Sequence, residues 1–533
     1  MDKEKTIPVV VGVTAHRALR EEDLPALEST VRAELKKLAE RCPNSELVML
    51  TSLAEGGDLL CADAAAELGI PIIAALPMEL ELYAKDFSRD ALRRLEAHCA
   101  AARQVFVVPA VEQFDGGDER DFCFRQAGIY VAGHSHVLLA LWDGGPGTPA
   151  ACGTADAVDF ALRGAYSPAG GMALRSSANE TVIHVFTPRG ERTGEAAGTV
   201  HLLGDAEAVG EILDRTDEFN RVASQGGDTK RTLLPERPED DLLLARMERL
   251  YVSAAASARA NAAVYRRVLV LLAVAATGLT LAFLLYDEAE AHWMIILCGA
   301  MLAAAWLIQR YAARLACHRR YLDYRALAEC LRVQAFLRYA GSGVTAASLL
   351  SWTQQKESAW IMAALCALTA GPDPEKSREI RACWVEDQRD YHRSAAGRDR
   401  RSLATSERVV RTALVVSVVF YLSALFFEFL CGGLILAPRI HVADVEIYRT
   451  VLKIVLGGIS AATLFISNYY GKLSLNRGLS DHVKMADFYE KMSVQLQMRG
   501  QTDELLTVLA REELIENGNW CSYQQDNTPD FSL

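Results

Sequence analysis

At 533 residues the chain is too long for one hydrophobic core, so more than one domain follows. Lys and Arg number 56 against 68 Asp and Glu, and the net charge of −12 argues against a nucleic-acid partner. Hydrophobic residues make up 51% of the chain, more than a soluble protein needs, and the excess sits in the second half.

The amino terminus, MDKEKTIPVVVGVT, is charged and then short and β-like, unlike a signal peptide. The cysteines (Cys42, Cys61, Cys99, Cys123, Cys152, Cys298 and others) form no Cys-x-x-Cys pair and show no Cys/His spacing suited to zinc. Reduced thiols in a cytosol-facing protein are expected, with no metal and no resident cofactor.

Over residues 1–190, β-branched runs alternate with helical patterns. The runs are VVVGVT (9–14), ELVMLTS (46–52), PIIAALP (71–77), QVFVVPA (104–110), HVLLALWDG (136–144) and TVIHVFTP (181–188). Near-continuous apolar strands separated by helices predict a parallel sheet covered on both faces. Ligands on such sheets sit at the carboxyl ends of the strands.

Three strand ends carry candidate binding residues. The first run ends in GVTAHR, where Gly12 and Ala15 leave the backbone approachable. There Thr14 offers a hydroxyl, His16 a contact residue, and Arg17 a fork suited to phosphate or carboxylate. The second, TSLAEGGD, brings Ser52, Glu55, Gly56 and Asp58 to the start of an Ala-rich helix, whose free N–H groups would form an anion site. Ser52 or Asp58 could equally be a helix cap, and Glu55 and Asp58 either ribose contacts or dipole partners. The third, LALWDGGPGTPAACGTADAV, presents Trp142 and Asp143 at a strand end, then Gly153 and Thr154 at a helix start. Trp142 reads either as a stacking platform for a base or as a rim aromatic. Taken together the three ends predict a nucleotide or sugar-phosphate pocket, with no catalytic residue assigned.

Residues 191–240 are polar and Gly/Pro-bearing and read as an exit loop and linker. A helical pattern then leads into VLVLLAVAATGLTLAFLLY (268–286), which carries no charge. At about 1.5 Å per residue that run crosses a hydrocarbon core of ~30 Å. Further apolar runs occupy 293–308, 412–431 and 451–469. They predict two-span modules over 241–340 and 396–500, separated by a cytosolic helical segment, 341–395, and followed by a cytosolic tail, 501–533. The thirteen apolar residues SAWIMAALCALTA (358–370) are too few for a span and read as a packed or interfacial helix. Glu428 reads either as an intramembrane acid or as a residue at the outer end of the third span. Gly457, Gly458, Ser460 and Ala461 would allow close helix approach in the fourth.

Arginines crowd the flanks of the spans (Arg266, Arg267, Arg310, Arg314, Arg398, Arg400, Arg401, Arg408, Arg411), while the loop between the first two spans has no Lys or Arg and that between the third and fourth has two. By that bias the hairpins point away from a cytosolic body, with both termini in the cytosol. An internal repeat aligns His318 with His482, Asp323 with Asp487 and Tyr324 with Phe488, at a constant offset of 164.

The order GVTAHR, TSLAEGGD and LALWDG…CGTADAV resembles the SLOG domains, a Rossmann-like family related to the cytokinin-activating LOG enzymes. In this chain Ala15 and Cys152 stand where the related pattern has glycine. The LOG hydrolases use an Arg and a Glu around a PGGxGTxxE loop, whose glutamate position here is Ala157. The hairpin at 268–308 and the HRRYLDYRALAECLRVQAFLRYAG after it resemble the SLATT family of two-span modules, and the second hairpin does so more weakly. The resemblance implies an α/β Rossmann-like parallel-sheet domain followed by an all-α membrane region with four transmembrane helices in two hairpins. It implies a sensor of a nucleotide second messenger in the bacterial inner membrane. That sensor would be homo-oligomeric, served by a messenger-producing enzyme encoded nearby, and would permeabilise or depolarise the membrane in antiviral defence. The alternatives are a membrane-anchored nucleotide phosphoribohydrolase and a ligand-gated ion channel with a nucleotide-binding head.

Overall fold

The computed structural model describes residues 6–110, 114, 116–147, 152–163, 181–189, 195–225, 232–235, 241–288, 292–431, 445–472 and 475–526. The chain divides into two compact units. The first comprises Met1–Ser257, Asp323–Ile380 and Arg499–Ser522; the second comprises Ala258–Leu322, Arg381–Met498 and Tyr523–Leu533.

The first unit opens with β1 (Val9–Ala15), α1 (Leu24–Arg41), β2 (Leu47–Thr51), α2 (Gly57–Glu67) and β3 (Ile72–Leu76). It continues with α3 (Leu80–Tyr83), α4 (Arg89–Ala101), β4 (Gln104–Val107), α5 (Glu119–His134) and β5 (Val137–Trp142). Then follow α6 (Thr154–Arg163), β6 (Thr181–Phe186), β7 (Val200–Gly204) and α7 (Ala206–Gln225). Among the described residues the strands form one sheet in the order β4-β3-β2-β1-β5-β6-β7. All neighbours are parallel except β6 and β7, which run antiparallel. Strands β2 and β3 are buried along their whole length, as apolar runs covered on both faces should be. The chain builds outward from β1 through β2, β3 and β4, then returns to place β5 on the other side of β1. That reversal opens a crevice at the carboxyl ends of β1 and β5.

The described residues of the stretch expected as a linker, 191–240, include β7 and α7, which join the sheet domain. The helix buries Val209, Ile212, Leu213, Thr216, Phe219, Asn220 and Ala223, a helical period that its many charges mask in composition. Fully buried Asn220 accepts the Ile7 N–H (2.7 Å) and donates to the Ile7 carbonyl (2.8 Å) and to Ser45 Oγ (2.9 Å). At the amino end of β2, buried Glu46 takes a two-pronged ion pair from Arg103 (2.8 and 2.6 Å) and a longer one from Arg246 (3.4 Å).

The remaining helices are α8 (Leu242–Glu288), α9 (Met294–Leu315), α10 (Cys317–Tyr339), α11 (Ala346–Leu349), α12 (Trp352–Glu357) and α13 (Ala359–Thr369). After them come α14 (Asp387–Cys431), α15 (Val445–Lys472), α16 (Leu475–Arg499) and α17 (Asp503–Asp526). Helix α13 is apolar on every side and accordingly buried from Trp360 to Leu368. It packs on α5 and α7 within the first unit, as a core helix and not a span. Residues 503–522, expected in a tail, belong to that same unit, with Leu505, Leu506, Leu509, Ala510 and Leu514 buried.

Three helical stretches among the described residues are long and apolar enough to cross a membrane: Leu242–Asp287, Met294–Tyr339 and Arg381–Leu430. Their outer faces carry exposed Val274, Ile296 and Phe426, a surface that water disfavours. The fourth apolar run forms α15, and many of its side chains, Ala461 included, lie outside the described residues. So does most of the loop between the third and fourth runs. Within the second unit, a Cβ on Gly457 would lie 2.8 Å from Leu284 of α8, and one on Gly458 3.1 Å from Leu281, so bare glycines let these helices close up. Glu428 takes a two-pronged ion pair from Arg449. His318 stacks on Tyr265 of α8 (4.4 Å), and His482 meets His392 of α14 (5.0 Å).

Replacing Asn220 by Ala leaves the Ile7 backbone groups buried without partners. We expect Asn220→Ala to lower stability by about 2–3 kcal/mol, read as a reduced melting temperature of the detergent-solubilised chain. An unchanged melting temperature would mean that α7 is not an integral part of the sheet domain.

Candidate functional site

A cavity of about 560 Å³ occupies the crevice at the carboxyl ends of β1, β2 and β5. Nine of the residues singled out in the sequence line it: Thr14, His16, Arg17, Ser52, Asp58, Trp142, Asp143, Gly153 and Thr154. They converge because β1 pairs in parallel with both β2 and β5, which sets their carboxyl ends side by side.

The other three serve the scaffold. A Cβ on Gly12 would collide with Ser135 Oγ, so this glycine lets the end of α5 close on β1. Gly56, at φ +94°, lies against the Arg17 carbonyl, an approach only a residue without a side chain permits. Glu55 points to α4, where its carboxylate accepts from the Ser88 hydroxyl (2.6 Å) and N–H (3.2 Å).

The start of α2 is not the open anion site that its sequence predicts. The Gly57 N–H donates to the His16 carbonyl (3.0 Å), and the Leu59 N–H to the Ala54 carbonyl (3.3 Å). The Asp58 carboxylate accepts from Thr51 Oγ1 (3.1 Å) and the Ala54 N–H (3.3 Å). The protein's own carbonyls therefore occupy two of the N–H groups at that helix end. At the start of α6 the Asp156 carboxylate accepts the Gly153 N–H (2.9 Å), while Thr154 and Ala155 face the cavity. The Asp156 carboxylate answers part of the helix dipole here, and what remains favours an anion on the Thr154–Ala155 side. Ala15 does not obstruct it: its methyl sits where Gly57 has no side chain. Cys152 lines the wall, with Sγ 3.7 Å from Asp121 Oδ1. Ala157 also lines the cavity.

Charge is distributed unevenly. Arg17 is exposed at the rim, its guanidinium carbon 4.8 Å from the centroid of Phe124. Arg189, just beyond β6, is a second exposed guanidinium on the lining. His16 Nε2 accepts the Asp143 N–H (3.1 Å), with Asp143 Oδ1 3.2 Å away. Burial lowers the His16 pKa, outweighing the Asp143 carboxylate, which raises it. The neutral ring is the form in which Nε2 accepts that N–H. Asp143 in turn holds the following turn by accepting the Gly145 N–H (2.9 Å). Deeper in, Asp58 is buried, and desolvation pushes its carboxyl up to about 7 against the opposing pull of Ala54, Thr51 and Arg17.

Several lining residues carry no local sequence signal. Tyr83 comes from α3, and Phe124, Ala127, Gly128 and Val131 from α5, helices that fold over the strand ends. Arg189 did have one: it follows the sixth apolar run, TVIHVFTP, at its carboxyl end. Among the described residues no cluster of three His, Cys, Asp or Glu is placed to hold a metal ion.

No protein-family model matches the chain and no curated protein matches it, so the cavity's own residues carry the functional argument.

The raised carboxyl of Asp58 has a defined consequence for stability. Between about pH 4, the ordinary carboxylate range, and pH 7 the folded state binds more protons than the unfolded one, so this group makes stability fall as pH rises. We expect Asp58→Asn to flatten that part of the profile, measured as melting temperature from pH 4 to pH 8. Parallel profiles for the two proteins would show that Asp58 is ionised throughout.

Proposed function

We propose that the first unit is a sensor for a phosphorylated, nucleotide-derived messenger and that the apolar helices are its membrane effector. The observation that carries this reading is the joining, in one chain, of a switch-point cavity with basic and helix-dipole features and helices long enough to span a bilayer. The messenger's phosphates lie between Arg17, Arg189 and the start of α6, while Trp142 and Phe124 offer aromatic surface to a base. In this reading the sensor is of the SLOG type and the hairpins of the SLATT type, with α15 as a fourth span. Both termini and the sensor lie in the cytosol of a bacterium, and the spans sit in its inner membrane.

Binding switches the effector only if the ligand prefers one of two states of the sensor. The second state is an altered homo-oligomer in which the hairpins permeabilise or depolarise the membrane, as an antiviral response to a messenger made by a neighbouring enzyme. Helix α8, continuous from Leu242 to Glu288, is the segment through which that change travels.

Arg17→Ala removes one of the two rim guanidiniums without disturbing the sheet. In bacteria overexpressing the chain, we expect it to abolish dye uptake elicited by cyclic or ADP-ribose-type nucleotides while the protein still fractionates with membranes. Dye uptake undiminished in Arg17→Ala would sink the sensor reading. Release of free base from nucleotides by the purified chain, with function surviving deletion of the spans, would instead establish a hydrolase.

A further inference from the structure

The deep end of the cavity contains a hydroxyl that the protein leaves without a partner. Tyr83, at the carboxyl end of α3, is fully buried and lines the cavity. Its ring is fixed edge-on against Phe87 (4.9 Å) and tilted against Phe124 (6.1 Å). Among the described residues no group forms a hydrogen bond with its Oη. Burying a hydroxyl unpaired costs about 1–3 kcal/mol relative to an apolar group of the same shape. Phenylalanine would fill the same space without that cost. A tyrosine here is therefore best accounted for by a partner that arrives from outside.

We propose that Tyr83 and Asp58 form a recognition subsite for a sugar hydroxyl of the bound ligand, which makes Tyr83 a specificity-determining residue. This rests on reading the cavity as a nucleotide site and extends that reading to the ribose. The choice of group follows from the donors and acceptors present. Burial holds the phenol protonated, so it has a hydrogen to donate. Asp58 is near enough to act electrostatically on that phenol, and so is Arg17. A phosphate at this depth would confront the Asp58 carboxylate with like charge. An ammonium would satisfy Asp58 but leave the phenol's hydrogen unused. A hydroxyl accepts from Tyr83 and donates to Asp58 at once. The phosphates then stay at the basic rim and the sugar points inward.

The test uses the full detergent-solubilised chain at pH 8 and a panel of ribonucleoside mono- and diphosphates and ADP-ribose, with 2′-deoxy and 3′-deoxy counterparts. Inorganic diphosphate serves as a probe of the rim alone. The expected result is that a ribonucleotide binds and that one of its deoxy analogues binds about tenfold or more weakly, the worth of one buried hydrogen bond. Tyr83→Phe should bind the ribonucleotide about tenfold more weakly, lose the preference for it over the deoxy form, and bind diphosphate as before. Without ligand, Tyr83→Phe should melt at the wild-type temperature or above it. Equal binding of ribo and deoxy forms by the wild type overturns the inference and leaves the nucleotide reading standing. A lowered melting temperature of ligand-free Tyr83→Phe, with discrimination intact, makes the hydroxyl structural and also overturns it. Failure of every nucleotide to bind the wild type removes both.

Discussion

Strand β1 pairs in parallel with β2 on one side and β5 on the other, and the geometry of the cavity depends on that arrangement. Parallel neighbours point their carboxyl ends the same way, and the change in chain direction between them leaves the ends uncovered. The glycines next to β1 keep the surrounding walls close. Gly12 admits the end of α5, and Gly56 and Gly57 let α2 approach the backbone of Arg17 and the methyl of Ala15. Larger residues at these points would push the walls apart and scatter the polar groups they present.

The cavity is chemically layered. Its rim carries two exposed guanidiniums and a helix start that favours negative charge, while its depth carries a desolvated carboxyl, a neutral imidazole and an aromatic wall. Water screens charges at the rim but not in the depth, so phosphate is best placed outside and uncharged polar groups inside. The same desolvation that drives Asp58 toward its neutral form also strengthens any hydrogen bond it accepts. In the proposed reading, this gradient alone orients a nucleotide.

The second unit presents a different kind of surface. Its long helices present apolar side chains outward, and its glycines bring α15 against α8. His318 meets the ring of Tyr265 on α8, and His482 meets that of His392 on α14. They do so at different depths, since Tyr265 lies three residues before its apolar run and His392 twenty before its own.

Patterns that repeat along the chain determined much of this protein. The parallel sheet, the runs long enough for a bilayer, the packed nature of 358–370 and nine lining residues are all legible as period, length or strand-end chemistry. Composition misled where charge dominates an amphipathic face, as in α7 and α17, because a helix needs only one apolar stripe to join a core. Tertiary structure alone decided which helix start is open. The His16 carbonyl takes the Gly57 N–H at the start of α2, and only its placement in space makes it a partner. It also brought Tyr83 and Phe124 to the cavity from helices whose local sequence predicts no ligand contact. Hydrogen bonding and desolvation depend on what surrounds a group, and residues distant in sequence supply those surroundings.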